Sequence, residues 1–149
     1  MNTKADSTPL LDEQLCFAIY STSLAMSKVY RPLLTRLGVT YPQYLVLMAL
    51  WNQDQVTVSE IGSQVFLDSA TLTPLLKRME TAGLVERARS ARDERQVIVS
   101  LTPAGREMQK EAGRIMSSVL CAAQCSEEEA LALKDQLVAL RNNLEKSIQ

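Results

Sequence analysis

The sequence predicts a mainly α fold: a winged helix-turn-helix with a two-stranded β-wing, and long N- and C-terminal helices forming a dimer interface. Three observations predict it. Two short capped helical segments, 57–65 and 68–83, follow one another closely. The hydrophobic period then changes from 3.6 to 2 over "LVERARS" and "RQVIVSLT", which are joined by the charged turn "ARDER". The apolar stripes at the two chain ends exceed what a compact DNA-binding module needs, so a second subunit is the economical cover.

In order, Leu11, Leu15, Ile19, Met26, Val29, Leu33 and Leu37 recur at helical intervals, giving one long helix bent or broken late by Pro32 and closed by Gly38. Thr40 caps a second, central helix through "YPQYLVLMALWNQ", where Pro42 sits in the first turn and its missing N–H costs nothing. Thr57 and Glu60 form a capping box for the third. Asp68 or Ser69 opens the fourth, and Gly83 is its left-handed stop. Pro74 conflicts with an ideal helix from Ser69: either the first turn is irregular or the regular part begins near Thr73. After the hairpin, Thr102 caps a helix with Pro103 at its first position, running on through "AGREMQKEAGRIMSSVLCAAQC", and Ser126 with Glu129 opens the last. The expected plan is one domain, 1–149. Segments 11–40 and 103–149 supply dimerisation helices, and 41–102 forms the DNA-binding lobe with its wing at 84–102.

Composition narrows the chemistry. With 149 residues the chain suits one domain, and a net charge of -1 does not advertise a polyanion partner, so any basic surface is local. There is no histidine, which removes Ser-His-Asp and Cys-His arrangements and the commonest general base near neutral pH. No enzyme activity, metal or other cofactor is expected. Three cysteines are too few for a disulfide scaffold and lack C-x-x-C spacing. No apolar run reaches membrane-span or signal-peptide length, so a cytoplasmic protein without a membrane partner is expected.

Positive charge gathers where the motif order places DNA: Lys77, Arg78, Arg87, Arg89, Arg92 and Arg95, against Glu80, Glu86, Asp93 and Glu94. Lysines and arginines neutralise phosphates and release counterions. Ser69, Thr71 and Thr73 in the first turns of the fourth helix face a major groove, with Lys77 and Arg78 beyond them, while Arg89, Arg92 and Arg95 of the hairpin suit a minor groove. Asp93 has two readings, a DNA contact or an acid that orients Arg95. The bland alternative for the whole stretch is a solvated face.

Cys16, Tyr20, Ser23, Ser27 and Tyr30 fall on one stripe of the first helix. A cysteine on an apolar helix is commonly plain packing. Phenol hydroxyls beside it, however, would stabilise the thiolate, the form that attacks peroxide. Cys121 and Cys125 are four apart and, on one helix, would point the same way, a spacing that fits disulfide geometry between them poorly.

The segments "VTYPQYLVLMALW", "FLDSATLTPLLKRMETAGLVER" and "RDERQVIVSLTPAGRE" resemble the MarR family of dimeric winged-helix regulators. With "LDEQLCFAIY" in front, the chain is more closely similar to the organic-hydroperoxide-sensing repressors called OhrR. The resemblance implies a homodimer that binds a palindromic double-stranded DNA operator when reduced and releases it when an organic hydroperoxide oxidises the N-terminal cysteine, here Cys16. It implies that Tyr30 and Tyr41 hold the thiolate across the dimer, and that a C-terminal-region cysteine of the other subunit resolves the oxidised form. Cys121 is the choice for that role and Cys125 the runner-up. The alternative within the fold is a repressor released by a small phenolic or amphipathic ligand, its cysteines incidental. A thiol peroxidase fits poorly, because the βαβ alternation of thioredoxin-like enzymes is missing.

Overall fold

Leu15–Thr35 forms α1 in the computed structural model, which describes residues 8–149. The helix expected from Leu11 starts four residues later: Leu11–Glu13 make a separate 3-10 turn, and Gln14, extended at φ -88°, ψ 125°, interrupts the run. Pro32 does not break α1. It lies in the last turn and removes one amide donor, and the helix continues to Thr35. Gly38, at φ 73°, makes the stop, and Val39 N donates back to Leu34 O at 3.2 Å. Leu34 and Val39 are buried, whereas Leu15, Phe17, Ile19, Tyr20, Leu24 and Met26 remain exposed. These elements belong to the first of two compact units, Met1–Tyr41; the second is Pro42–Gln149.

α2 (Tyr41–Asn52) carries Pro42 in its first turn and buries Tyr44, Val46, Leu47 and Leu50. A two-residue strand, β1 (Val56–Thr57), runs directly into α3 (Val58–Val65). The capping box is complete: Thr57 Oγ1 accepts from Glu60 N at 3.1 Å, and Glu60 Oε2 accepts from Thr57 N at 2.8 Å. Phe66, left-handed at φ 58°, ends α3. Asp68 then caps α4 (Ser69–Thr81) by accepting from Thr71 N at 2.8 Å. Asp68 is therefore the cap, and the helix does not wait for Thr73: Pro74 sits inside it, at the cost of the single amide donor that would serve Ala70 O. Leu72, Leu75, Leu76 and Met79 form its buried face, and Gly83, at φ 77°, turns the chain out.

The wing is the antiparallel pair β2 (Val85–Arg89) and β3 (Val97–Leu101), in the register Val85 to Leu101, Arg87 to Val99 and Arg89 to Val97. The sequence predicts two strands and the sheet has three, in the order β1-β3-β2. A two-residue strand is too short to show a period.

Thr102 caps α5 (Pro103–Glu107) by accepting from Gly105 N at 3.1 Å. Gly105 is required there, since a Cβ would lie 2.2 Å from Leu84 O. The single helix expected from Pro103 is divided: Met108–Glu111 are 3-10, α6 covers Ala112–Ala123, and Gln124 is left-handed at φ 54°. Cys125 is consequently off the helix, its N–H returning to Leu120 O at 3.2 Å. Ser126 accepts from Glu129 N at 3.1 Å and starts α7 (Glu127–Ser147). The core of the second unit joins α2, α3, α4, the sheet and Ile115 of α6. Among the described residues, no helix is long and apolar enough to cross a membrane.

Candidate functional site

Burial of Leu72, Leu75, Leu76 and Met79 turns the other side of α4 outward, and that side carries Ser69, Thr71, Thr73, Lys77 and Arg78, all exposed. The cap shapes this end. The Asp68 carboxyl is held below its ordinary value, first by the Thr71 backbone N–H and then by the Thr71 hydroxyl, so Thr71 is shared with the cap.

At the wing tip, Arg89 Nη1 donates to Glu94 O at 2.8 Å and braces the turn, while Ser90 Oγ accepts from Arg92 N at 3.2 Å. Asp93 Oδ1 accepts from Arg95 N at 3.1 Å and Arg95 Nε at 3.2 Å, the geometry of an acid that orients an arginine. The Arg95 side chain is 92% exposed, so its cationic end is presented to solvent. Arg92 is also exposed.

Two carboxylates that sequence reasoning does not single out hold the wing at its base. Glu80 Oε2 accepts from Arg87 N at 3.1 Å, and Glu80 Oε1 from Arg87 Nη2 at 3.3 Å. The Glu80 carboxyl is lowered from its ordinary value, chiefly by that guanidinium. Asp54 accepts from Leu101 N at 2.9 Å and Gln55 N at 2.8 Å through Oδ1, and from Arg106 Nη2 at 2.6 Å through Oδ2. Their signals in the sequence are faint: an acid in the last turn of a helix, and an Asp in the polar run "NQDQ" after one.

The thiols belong to other elements. Cys16 is a free, exposed cysteine in the first turn of α1, with exposed Tyr20 one turn on. Tyr30 and Tyr41 meet, their ring centroids 4.8 Å apart and inclined at 51°. With Ser27, Arg31, Leu34 and Thr40 they line a cleft of about 320 Å³. Tyr41 is 39% exposed, and burial of the remainder raises its phenol pKa, which keeps it a neutral donor. Fourteen residues of helix separate Cys16 from Tyr30, about 21 Å at 1.5 Å per residue, so the tyrosine pair and Cys16 of one chain do not meet along α1. Ser27 Oγ donates to Ser23 O at 3.0 Å, within its own helix. Cys121 is exposed in the last turns of α6 and Cys125 is half-buried beyond its end, its Sγ 3.4 Å from Ala123 O. The two therefore do not share a helix face. Among the described residues, no group of three or more His, Cys, Asp or Glu is placed to hold a metal ion.

The chain is similar to known transcriptional regulators. The profile of the transcriptional regulators SarA/Rot matches residues 28–112. The organic hydroperoxide resistance transcriptional regulator of Bacillus subtilis is 46% identical over 90% of this chain and 91% of its own. Among solved structures, reduced AbfR bound to DNA is 35% identical, with a TM-score of 0.79 over 93% of this chain and 95% of that one. Disulfide-formed AbfR is 37% identical, with a TM-score of 0.64 over 87% and 91%.

Proposed function

The chain belongs to the MarR/SarA family of transcriptional regulators, which are not enzymes, and on that premise we propose that it is a redox-switched repressor whose input is Cys16. It binds a palindromic operator as a reduced homodimer and releases it when an organic hydroperoxide oxidises that thiol. The observation that carries the reading is an exposed free thiol on the apolar outer face of α1, in a chain 46% identical to a regulator of organic hydroperoxide resistance.

The Cys16 thiolate attacks the distal oxygen of the hydroperoxide; the S–O bond forms as O–O breaks, and the alkoxide takes a proton and leaves as the alcohol. The sulfenic acid then condenses with a second thiol, losing water to give a disulfide. Cys121 of the other subunit is the proposed second thiol, being the more exposed of the two candidates, with Cys125 the runner-up. The distance along α1 supports a dimeric site: if Tyr30 and Tyr41 donate to the Cys16 thiolate, they come from the other chain.

Segments 11–40 and 103–149 are assigned to dimerisation and 41–102, with the wing at 84–102, to DNA. Exposed Leu131, Leu133, Leu137 and Leu144 on α7 support that division. Ser69, Thr71, Thr73, Lys77 and Arg78 are assigned to the major groove and backbone, Arg89, Arg92 and Arg95 to the wing contact, and Asp93 to orienting Arg95. The decisive experiment is operator binding before and after one equivalent of cumene hydroperoxide. Wild type is expected to release DNA while Cys16→Ser binds and stays bound. Release of the Ser variant would transfer the reading to a ligand-gated repressor using the cleft at Tyr30 and Tyr41.

A further inference from the structure

The wing depends on backbone contacts that its own hairpin does not supply. β2 is an edge strand, and the Arg87 N–H that it leaves outside the ladder is taken by Glu80, from the last turn of α4. β1 pairs with β3 only at Ile98 and Val99, so the Leu101 N–H lies beyond its reach and is taken by Asp54, from the turn between α2 and β1. Each carboxylate also holds an arginine: Glu80 holds Arg87 and Asp54 holds Arg106 of α5. Arg87 differs from the wing-tip arginines. Its side chain is 22% exposed against 92% for Arg95, and its Nε is buried.

We propose that Asp54 and Glu80 are positioning residues for DNA recognition, a two-carboxylate clamp that fixes the wing at one angle to α4. Each strand is gripped through its main chain, which sets the path of the strand itself, and the arginine beside it closes the grip from the flank. The wing tip is a cantilever about 20 Å long, six residues beyond Leu101 and Val85 at about 3.3 Å each, so a small rotation at its base becomes several ångströms at Arg92 and Arg95. A wing that contacts one groove while α4 occupies the next gains from both only if that angle is set before binding. Arg87 is assigned to this clamp and not to a phosphate.

The proposal rests on the DNA-reading function above, and the test separates the two. Operator affinity and its salt dependence are measured for wild type, Glu80→Gln and Asp54→Asn, each also in a background of Arg92→Ala and Arg95→Ala. Both single variants keep an oxygen acceptor for the strand amide and lose the charge. They are expected to bind roughly tenfold more weakly, the size of one charge-assisted hydrogen bond, with a salt slope lower by about 0.9 for each phosphate that the wing no longer neutralises. In the background without wing arginines they are expected to cost nothing more, because they act through the wing. Unchanged affinity in both variants, or an undiminished loss in that background, would overturn the clamp. Should Glu80→Gln fail to fold, Arg87→Lys loosens the same grip and is read in the same way. If wild type itself does not bind duplex DNA, it is the repressor reading that falls.

Discussion

Ionisation decides what Cys16 can do, since only the thiolate attacks peroxide. If the partner's tyrosines donate to it, Tyr41→Phe removes one donor and is expected to slow oxidation by hydroperoxide about tenfold, the size of one charge-assisted hydrogen bond, as read by loss of free thiol under single-turnover conditions. A rate unchanged in Tyr41→Phe and Tyr30→Phe would remove both from the sensor. Asp68 gives a separate test by pH. Its carboxyl is held below the ordinary 3.8 by Thr71, so the cap's contribution is fully present above that value and is lost as pH falls through the lower, folded one. Asp68→Ala is expected to lower the Tm at pH 7 and to leave a shallower decline in Tm below about pH 4, the ordinary carboxylate range; parallel curves for the two proteins would contradict this.

Among the elements, those bounded by a specific side chain are legible in the sequence. Thr57 with Glu60, Asp68, Thr102 and Ser126 all cap where their residue types say, and Gly38 and Gly83 stop helices in the left-handed conformation. What stays hidden depends on distant partners. Strand β1 is defined only by Val99 and Ile98, 41 or more residues on, and the break at Met108–Glu111 falls in a sequence with no Pro or Gly to mark it. Cys125 leaves the helix on which its spacing from Cys121 would place it, because Gln124, left-handed at φ 54°, ends α6 one residue earlier, and no Gly marks that stop in the sequence. At Gly105 the constraint is the approach of Leu84 O: Gly105→Ala forces backbone apart and is expected to cost about 3 kcal/mol, as severe overpacking does, measured by urea denaturation. The candidate site is legible for side chains that point outward from α4 and the wing. Asp54 and Glu80 are not, since each takes a main-chain amide, which every sequence contains, and an arginine on another element, Arg106 and Arg87, that no local spacing connects to it.

For the molecule as a whole, the leucines of α7 and the apolar residues of α1 need cover. Leu131, Leu133, Leu137 and Leu144 keep between 43% and 57% of their surface exposed in the single chain, apolar area on one helix of the kind an interaction surface uses. Leu137→Glu combined with Leu131→Glu is expected to convert a dimer into a monomer by light scattering and to abolish operator binding, because paired half-sites need paired lobes. A dimer that survives both changes would move the interface off α7.

The grip of Glu80 on β2 has a consequence away from DNA. An outer strand with unpaired amides is a template on which another chain can add, and β2 carries alternating charge, "VERAR", as well as a carboxylate on its Arg87 amide. At Arg87, the middle of that edge, the amide an incoming strand would need is already taken, and this opposes addition of another chain there.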